Sequence, residues 1–351
     1  MSELVIAGRN VPRARSPGLW VLAWRRFGRD RVGVVSLAVV VFFCALMTAS
    51  GLNLIAADWA QEAGVNYAPP TFMGPDAVEA EAVTPPVAQP AGGERAESSD
   101  IVDPLADVLA EIRRDPAAVA PPAPKAATLP FGGDKWGRDV LKKVIKGTQT
   151  SMFVGIAAAL LATLLGTVFG ALAGYYGRAV DDFFNWFYSI FTSVPYLLLI
   201  LAIAAVLNQK GTLTVVLILG LTGWPGIFRL VRAEYLKHKA REYIQAADAI
   251  GASHRRRMFV HILPNVSHVI LVQLSLHVVL FIKSEVILSF LGFGVGVDTV
   301  SWGSMLNEAQ SELILGKWWQ LVAATAAMAA LVTAFSLFTD ALRDALDPRL
   351  K

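Results

Sequence analysis

Long apolar runs separated by short polar breaks dominate this chain. They fall at residues 32–57, 151–174, 183–207, 212–231, 266–291 and 320–338. At about 1.5 Å of rise per residue, each approaches or exceeds the ~30 Å needed to cross a bilayer as a helix. Lipid offers the backbone no hydrogen bonds, so such runs are helical. The pattern predicts an all-α integral membrane protein with six transmembrane helices.

The apolar runs carry internal punctuation. Gly166, Gly170 and Gly174 repeat every fourth residue in the second, which leaves a smooth stripe for a neighbouring helix. Pro195 interrupts the third and predicts a kink, read either as a hinge or as packing geometry. Gly220, Gly223, Pro225 and Gly226 make the fourth irregular.

The polar breaks differ from one another. Residues 58–128 form a Pro- and Ala-rich insertion, with twelve acids against three bases between 58 and 115. Such a composition buries too little apolar surface to order itself, apart from one short amphipathic helix expected at 101–114. Residues 129–147, with Trp136, Arg138, Lys142, Lys143 and Lys146, read as an interfacial helix lying along the membrane. Residues 295–317 read as a polar outer loop followed by interface anchors at Trp318 and Trp319.

Residues 241–265, REYIQAADAIGASHRRRMFVHILPN, organise the rest. The first half favours a short helix. Gly251 supplies a turn, Ser253 caps a second helix, and Pro264 sits in the first turn of the next span. Two short helices at an angle make a knob that another protein can grip.

The chain has 351 residues, 55% of them hydrophobic and 17% charged, which sets it apart from soluble domains. Its domains are then a basic tail at 1–31, a first helix at 32–57, the insertion at 58–128, and a unit with five further spans at 129–351. The apolar run at 32–57 is too long for a signal peptide and reads as an anchor. Outside the apolar cores, and leaving out Arg229, 18 Lys and Arg fall in cytoplasmic segments and 11 in outer ones if both termini are cytoplasmic. The positive-inside bias therefore favours an N-in/C-in topology, although the bases at 135–146 run against it.

Covalent chemistry finds little support. One cysteine, Cys44, excludes an internal disulfide framework, and no GxxxxGK[ST] loop is present to bind nucleotide. The five histidines are scattered, so no catalytic group and no metal site is expected. Arg255, Arg256 and Arg257 lie beside the membrane, where lipid headgroups or an acidic partner outrank nucleic acid. Lys283 and Glu285 are the ionisable pair nearest the membrane core. Two residues apart on a helix, they do not pair, and Glu285 is the candidate for a polar pathway.

The knob also resembles a known motif. Ala246, Ala247, Gly251, His261, Leu263, Pro264 and Asn265, with Tyr243 before them, look like the EAA loop of ABC importer permeases. Gln245 stands where the name-giving Glu is expected. Gly137-Arg138-Asp139-Val140-Leu141, Leu288-Ser289-Phe290-Leu291-Gly292-Phe293-Gly294 and Asp344-Ala345-Leu346-Asp347-Pro348-Arg349 narrow the resemblance to the second permease subunit of peptide and nickel importers. It covers residues 20–57 and 129–351. It implies a bacterial inner-membrane subunit that imports di- or oligopeptides, with no cofactor of its own. The implied partners are a second permease subunit, two cytoplasmic ABC ATPases and a periplasmic peptide-binding protein. Nickel chelates and glutathione-like peptides stay open as substrates. A self-contained secondary transporter and a membrane-anchored scaffold are the rival classes.

Overall fold

The computed structural model describes residues 24–75, 125–296 and 298–346. The helix expected at 101–114, most of the basic tail and the last residues of the C-terminal motif lie outside them. The helices are α1 (Arg31–Gly51), α2 (Val140–Tyr176), α3 (Arg178–Thr192), α4 (Tyr196–Leu207), α5 (Thr212–Thr222), α6 (Pro225–Lys239), α7 (Glu242–Ala249), α8 (His254–Phe290), α9 (Trp302–Ile314) and α10 (Trp319–Leu346). Five stretches are long and apolar enough to cross a membrane, with α5 and α6 counted together; α3 and α4 make a sixth if taken as one bent span.

Helix α2 is the central post, packed against α1, α5, α6 and α8. Its glycine stripe faces α6. A Cβ on Gly166 would meet Ile227 Cγ2 at 1.9 Å, one on Gly170 the Phe228 carbonyl at 2.8 Å, and one on Gly174 the Arg232 carbonyl at 2.6 Å. The stripe is therefore a helix-packing face, with backbones drawn close enough for dispersion to act along the whole crossing.

Two expectations need correction. The interfacial helix at 129–147 does not lie apart from the second span. From Val140 it is the first two turns of α2, which runs 37 residues, about 55 Å at about 1.5 Å per residue. Those extra turns hold Lys143 at 1% exposure, ion-paired to Asp134 at 2.7 Å and Glu308 at 2.6 Å. Second, the third span is no gentle kink: α3 and α4 meet at 80°. Pro195 has no N–H and forces the preceding residue out of helical geometry, so the chain turns there. Pro264 stands where expected, in the first turn of the α-helical run Leu263–Phe290. A π-helical segment, Arg257–Ile262, precedes it. Proline cannot donate to the carbonyl four residues back and its ring crowds that carbonyl, and the wider π turn relieves both problems.

At the end of the bundle remote from the knob, residues 58–75 and 125–139 knit into a loop platform through isolated bridges, Glu62 with Arg138 and Pro70 with Leu129 among them. Gly137 is held at φ +76, and a Cβ there would meet the Gly64 carbonyl at 2.0 Å. Only glycine fits. Asp139 then caps α2, accepting from the Leu141 amide at 2.8 Å. The 137–141 motif thus joins platform to post.

Candidate coupling knob and its supports

Helix α7 presents two faces. Ile244 and Ala247, three residues apart, turn inward and join Met258, Ile262, Val231 and Tyr235 in a buried cluster with Tyr175 of α2. Ala246 and Tyr243 turn outward. The chain then reaches Ile250, 85% exposed, and Gly251 at φ +81 with no atom within 4 Å of a built Cβ. The tip is small, apolar and open. Ser253 caps α8 by accepting from the Arg256 amide at 3.4 Å.

Polar contacts lock the root of the knob. Tyr235 donates its hydroxyl hydrogen to the Met258 carbonyl at 3.2 Å. Arg257 pairs with Asp248 at 2.5 Å, which ties the start of α8 back to α7. Tyr175 and His254 share a hydrogen bond of 2.9 Å. On the flank, Tyr243 bonds His238 at 2.9 Å, and burial pushes the Tyr243 phenol above its ordinary range. Asn265 donates to the His261 carbonyl at 2.7 Å, inside the turn that Pro264 disturbs. A bidentate pair, Arg232 to Asp181, then holds α3 against α6.

Of the residues singled out in the sequence, Tyr243, Ala246 and Gly251 share the open face. Ala247 faces the subunit's own core, and Leu263, partly buried, packs against the same cluster. His261 is partly buried, while Pro264 and Asn265 are exposed where α8 begins its long run. Ile250, the most prominent apolar group at the tip, was not anticipated. The three-residue spacing of Ile244 and Ala247 did carry the signal for which face turns in.

Glu285 is not presented to an open path. It is fully buried, and its two carboxylate oxygens accept from Ser151 of α2 and Ser289 of α8, both at 2.7 Å. Ser151 also accepts from the Trp302 amide at 3.2 Å. A buried carboxylate with these donors is a strut joining α2, α8 and α9. Lys283 points away and is exposed. The Leu288–Gly294 motif serves this strut: a Cβ on Gly294 would meet Ser289 Oγ at 1.9 Å, and one on Gly303 would meet Ser289 Cβ at 2.5 Å.

A cavity of about 480 Å³ opens where two helix breaks coincide, beside Pro195 and beside Gly223. Its polar lining is uncharged at Thr192, Tyr196, Thr222 and Gln273, and His277 completes it. The Tyr196 hydroxyl is buried with no hydrogen-bond partner. Among the described residues no cluster of three His, Cys, Asp or Glu side chains is placed to hold a metal.

Comparison with known proteins agrees with this architecture. Residues 166–351 match the family described as binding-protein-dependent transport system inner membrane component, and residues 18–70 match the N-terminal TM domain of oligopeptide transport permease C. The dipeptide transport system permease protein DppC of Bacillus subtilis is 37% identical over 228 residues, 65% of this chain and 71% of that protein. The oligopeptide transport system permease protein OppC of the same organism is 36% identical over 221 residues, 63% of this chain and 72% of that protein. The glutathione transport system permease protein GsiD of Pectobacterium atrosepticum is 36% identical over 223 residues, 63% of this chain and 73% of that protein. The bundle and its match define a multi-pass inner-membrane permease subunit of an ABC importer, a transport component and not an enzyme. The chain belongs to the binding-protein-dependent transport system inner membrane component family.

Proposed function

We propose that the chain is the second permease subunit of a di- or oligopeptide importer, with the knob facing the cytoplasm and seated on an ABC ATPase. A different permease chain completes the membrane pore, a second ATPase completes the motor, and a periplasmic binding protein delivers the peptide. The observation that carries this reading is the contrast within the knob. At its tip Ala246, Ile250 and Gly251 are open and uncharged, while its root is fixed to α2 and α6 by Ile244, Ala247, Met258 and Tyr235. A surface built to be gripped on a base built not to slip transmits displacement. Closure of the ATPases would move the root as one body with α6 and α8.

The cavity at the two helix breaks is the better candidate for the peptide path than Glu285. Its neutral donors and acceptors suit the repeating amide of a peptide without selecting side chains. The N-in/C-in orientation places the knob with the basic segments, as the Lys and Arg bias requires.

The experiment is reconstitution with partner subunits and Gly251→Asp. Aspartate tolerates a left-handed backbone better than most residues, and a Cβ at 251 meets nothing, so the change acts on the docking surface. Uptake and binding-protein stimulation of ATPase activity should both be lost, while Gly251→Asn, with the same shape and no charge, retains most of each. Unchanged uptake in the aspartate variant would refute the knob's role.

A further inference from the structure

At the platform end lies a second cavity, of about 410 Å³. One wall carries Trp59, Lys135, Trp136 and Arg138, and the other carries Lys210 and the glycine-rich turn after α8. Its one lining carboxylate, Glu308, is taken: it accepts from Lys143 at 2.6 Å and from Gln320 at 3.3 Å. The remaining cations are unbalanced. Among the described residues, Lys135, Arg138 and Lys210 have no carboxylate within ion-pair distance. Arg138 lies over the Trp59 ring at 5.7 Å and Lys135 over the Trp136 ring at 5.4 Å, so aromatic faces hold the two cations in place. Arg138 Nε is buried and has no hydrogen-bond acceptor. A buried guanidinium N–H without an acceptor is costly unless something supplies one.

With the orientation proposed above, these bases sit on the side of the membrane where Lys and Arg are disfavoured. Four of the 11 outer bases, Lys135, Arg138, Lys143 and Lys210, line this recess.

We propose that the cavity binds the free α-carboxylate of a peptide, with Arg138 as the principal donor and Lys135 and Lys210 attracting the anion towards it. The proposal rests on the peptide-importer reading. Arginine's planar fork matches a carboxylate with two parallel hydrogen bonds. The α-carboxylate is present on every linear peptide, so a site that reads it holds cargo without reading sequence. A recess of this volume suits a small ligand or a chain end. An acidic side chain of the binding protein offers the same group from another source, and the test separates the two.

The test uses the assembled transporter in lipid nanodiscs, with trialanine and its C-terminal amide as probes and equilibrium binding as the readout. Amidation should weaken binding about tenfold, and Arg138→Gln should weaken trialanine binding by a similar factor while leaving the amide unaffected. Among the described residues no hydrogen bond of the Arg138 side chain is seen, and Lys210→Gln, expected to cost about threefold, is a second and exposed variant. Equal binding of acid and amide, or no binding of trialanine, overturns the proposal. So does binding seen only after residues 76–124 are deleted, which would assign the cations to the chain's own acidic segment. Loss of binding-protein affinity in Arg138→Gln with trialanine binding intact would assign the recess to docking and also overturn it. Peptide uptake by the unmodified transporter judges the importer reading separately: where it is seen and neither amidation nor Arg138→Gln changes it, the carboxylate site alone fails.

Discussion

Tyr235 and Met258 meet at the root of the knob, where the phenolic hydroxyl of one donates to the main-chain carbonyl of the other across 3.2 Å. Both residues are buried, and the carbonyl belongs to the π-helical turn that Pro264 imposes. The contact joins α6, which crosses the glycine stripe of α2, to the first turns of α8. In the proposed coupling, this junction is one route by which displacement of the tip reaches the spans.

Tyr235→Phe keeps the ring and removes the bond. It should cost about 1 kcal/mol of stability, with the Met258 carbonyl left buried and unpaired. Coupling should suffer more than stability. The stimulation of ATPase activity by binding protein falls in reconstituted transporter, while basal hydrolysis holds.

Gly174→Ala tests the crossing itself. Its Cβ would stand 2.6 Å from the Arg232 carbonyl and 2.8 Å from Tyr235 Cβ, and a backbone oxygen cannot rotate away. Overpacking of this kind costs about 1–3 kcal/mol. A lower melting temperature of the purified complex, read by tryptophan fluorescence, is the expected result.

Lys143→Met removes the cation from a site that also holds Asp134, at 0% exposure. Leaving a buried carboxylate without its partner costs about 3–5 kcal/mol. Asp134→Asn in the same chain should recover part of that loss, since the Trp136 and Arg138 amides both donate to the one oxygen, Oδ1, that asparagine keeps. Thermal melts of the single and double variants check the order.

Six apolar runs were legible in the sequence because lipid demands them, and the glycine stripe was legible because close packing leaves a four-residue trace. The buried ion cluster was not. Lys143 lies 165 residues from Glu308 and 177 from Gln320, so nothing local marks it as anything but a base in an interfacial helix. The Glu285 strut was illegible for the same reason, since its partner Ser151 is 134 residues away. The knob was recognisable from its small residues and its glycine. Its inner and outer faces follow from helical phase, and the π turn depends on how Pro264 is accommodated once the helix runs through it.

Glu312 gives a pH signature. It is fully buried on α9, one oxygen accepts from the Lys135 amide at 3.3 Å, and the other has no partner. Burial, opposed by the nearby Lys143, pushes its carboxyl up to about 7. The folded chain therefore keeps a proton that the unfolded chain releases at the ordinary carboxyl range. The stability this contributes is full below that range and is lost as pH rises through about 7. Glu312→Gln should match the parent's melting temperature at pH 4 and exceed it at pH 8. Parallel curves across that window would contradict the assignment.

The central claim is that the knob, and not the platform, meets the ATPases. A photo-cross-linking amino acid placed at position 250 in the assembled transporter tests it most directly, with position 136 on the platform as the control. The account predicts an adduct between position 250 and an ATPase subunit, with a yield that changes on nucleotide binding, and none from position 136. An ATPase adduct from position 136, or none from position 250 in any nucleotide state, would contradict it.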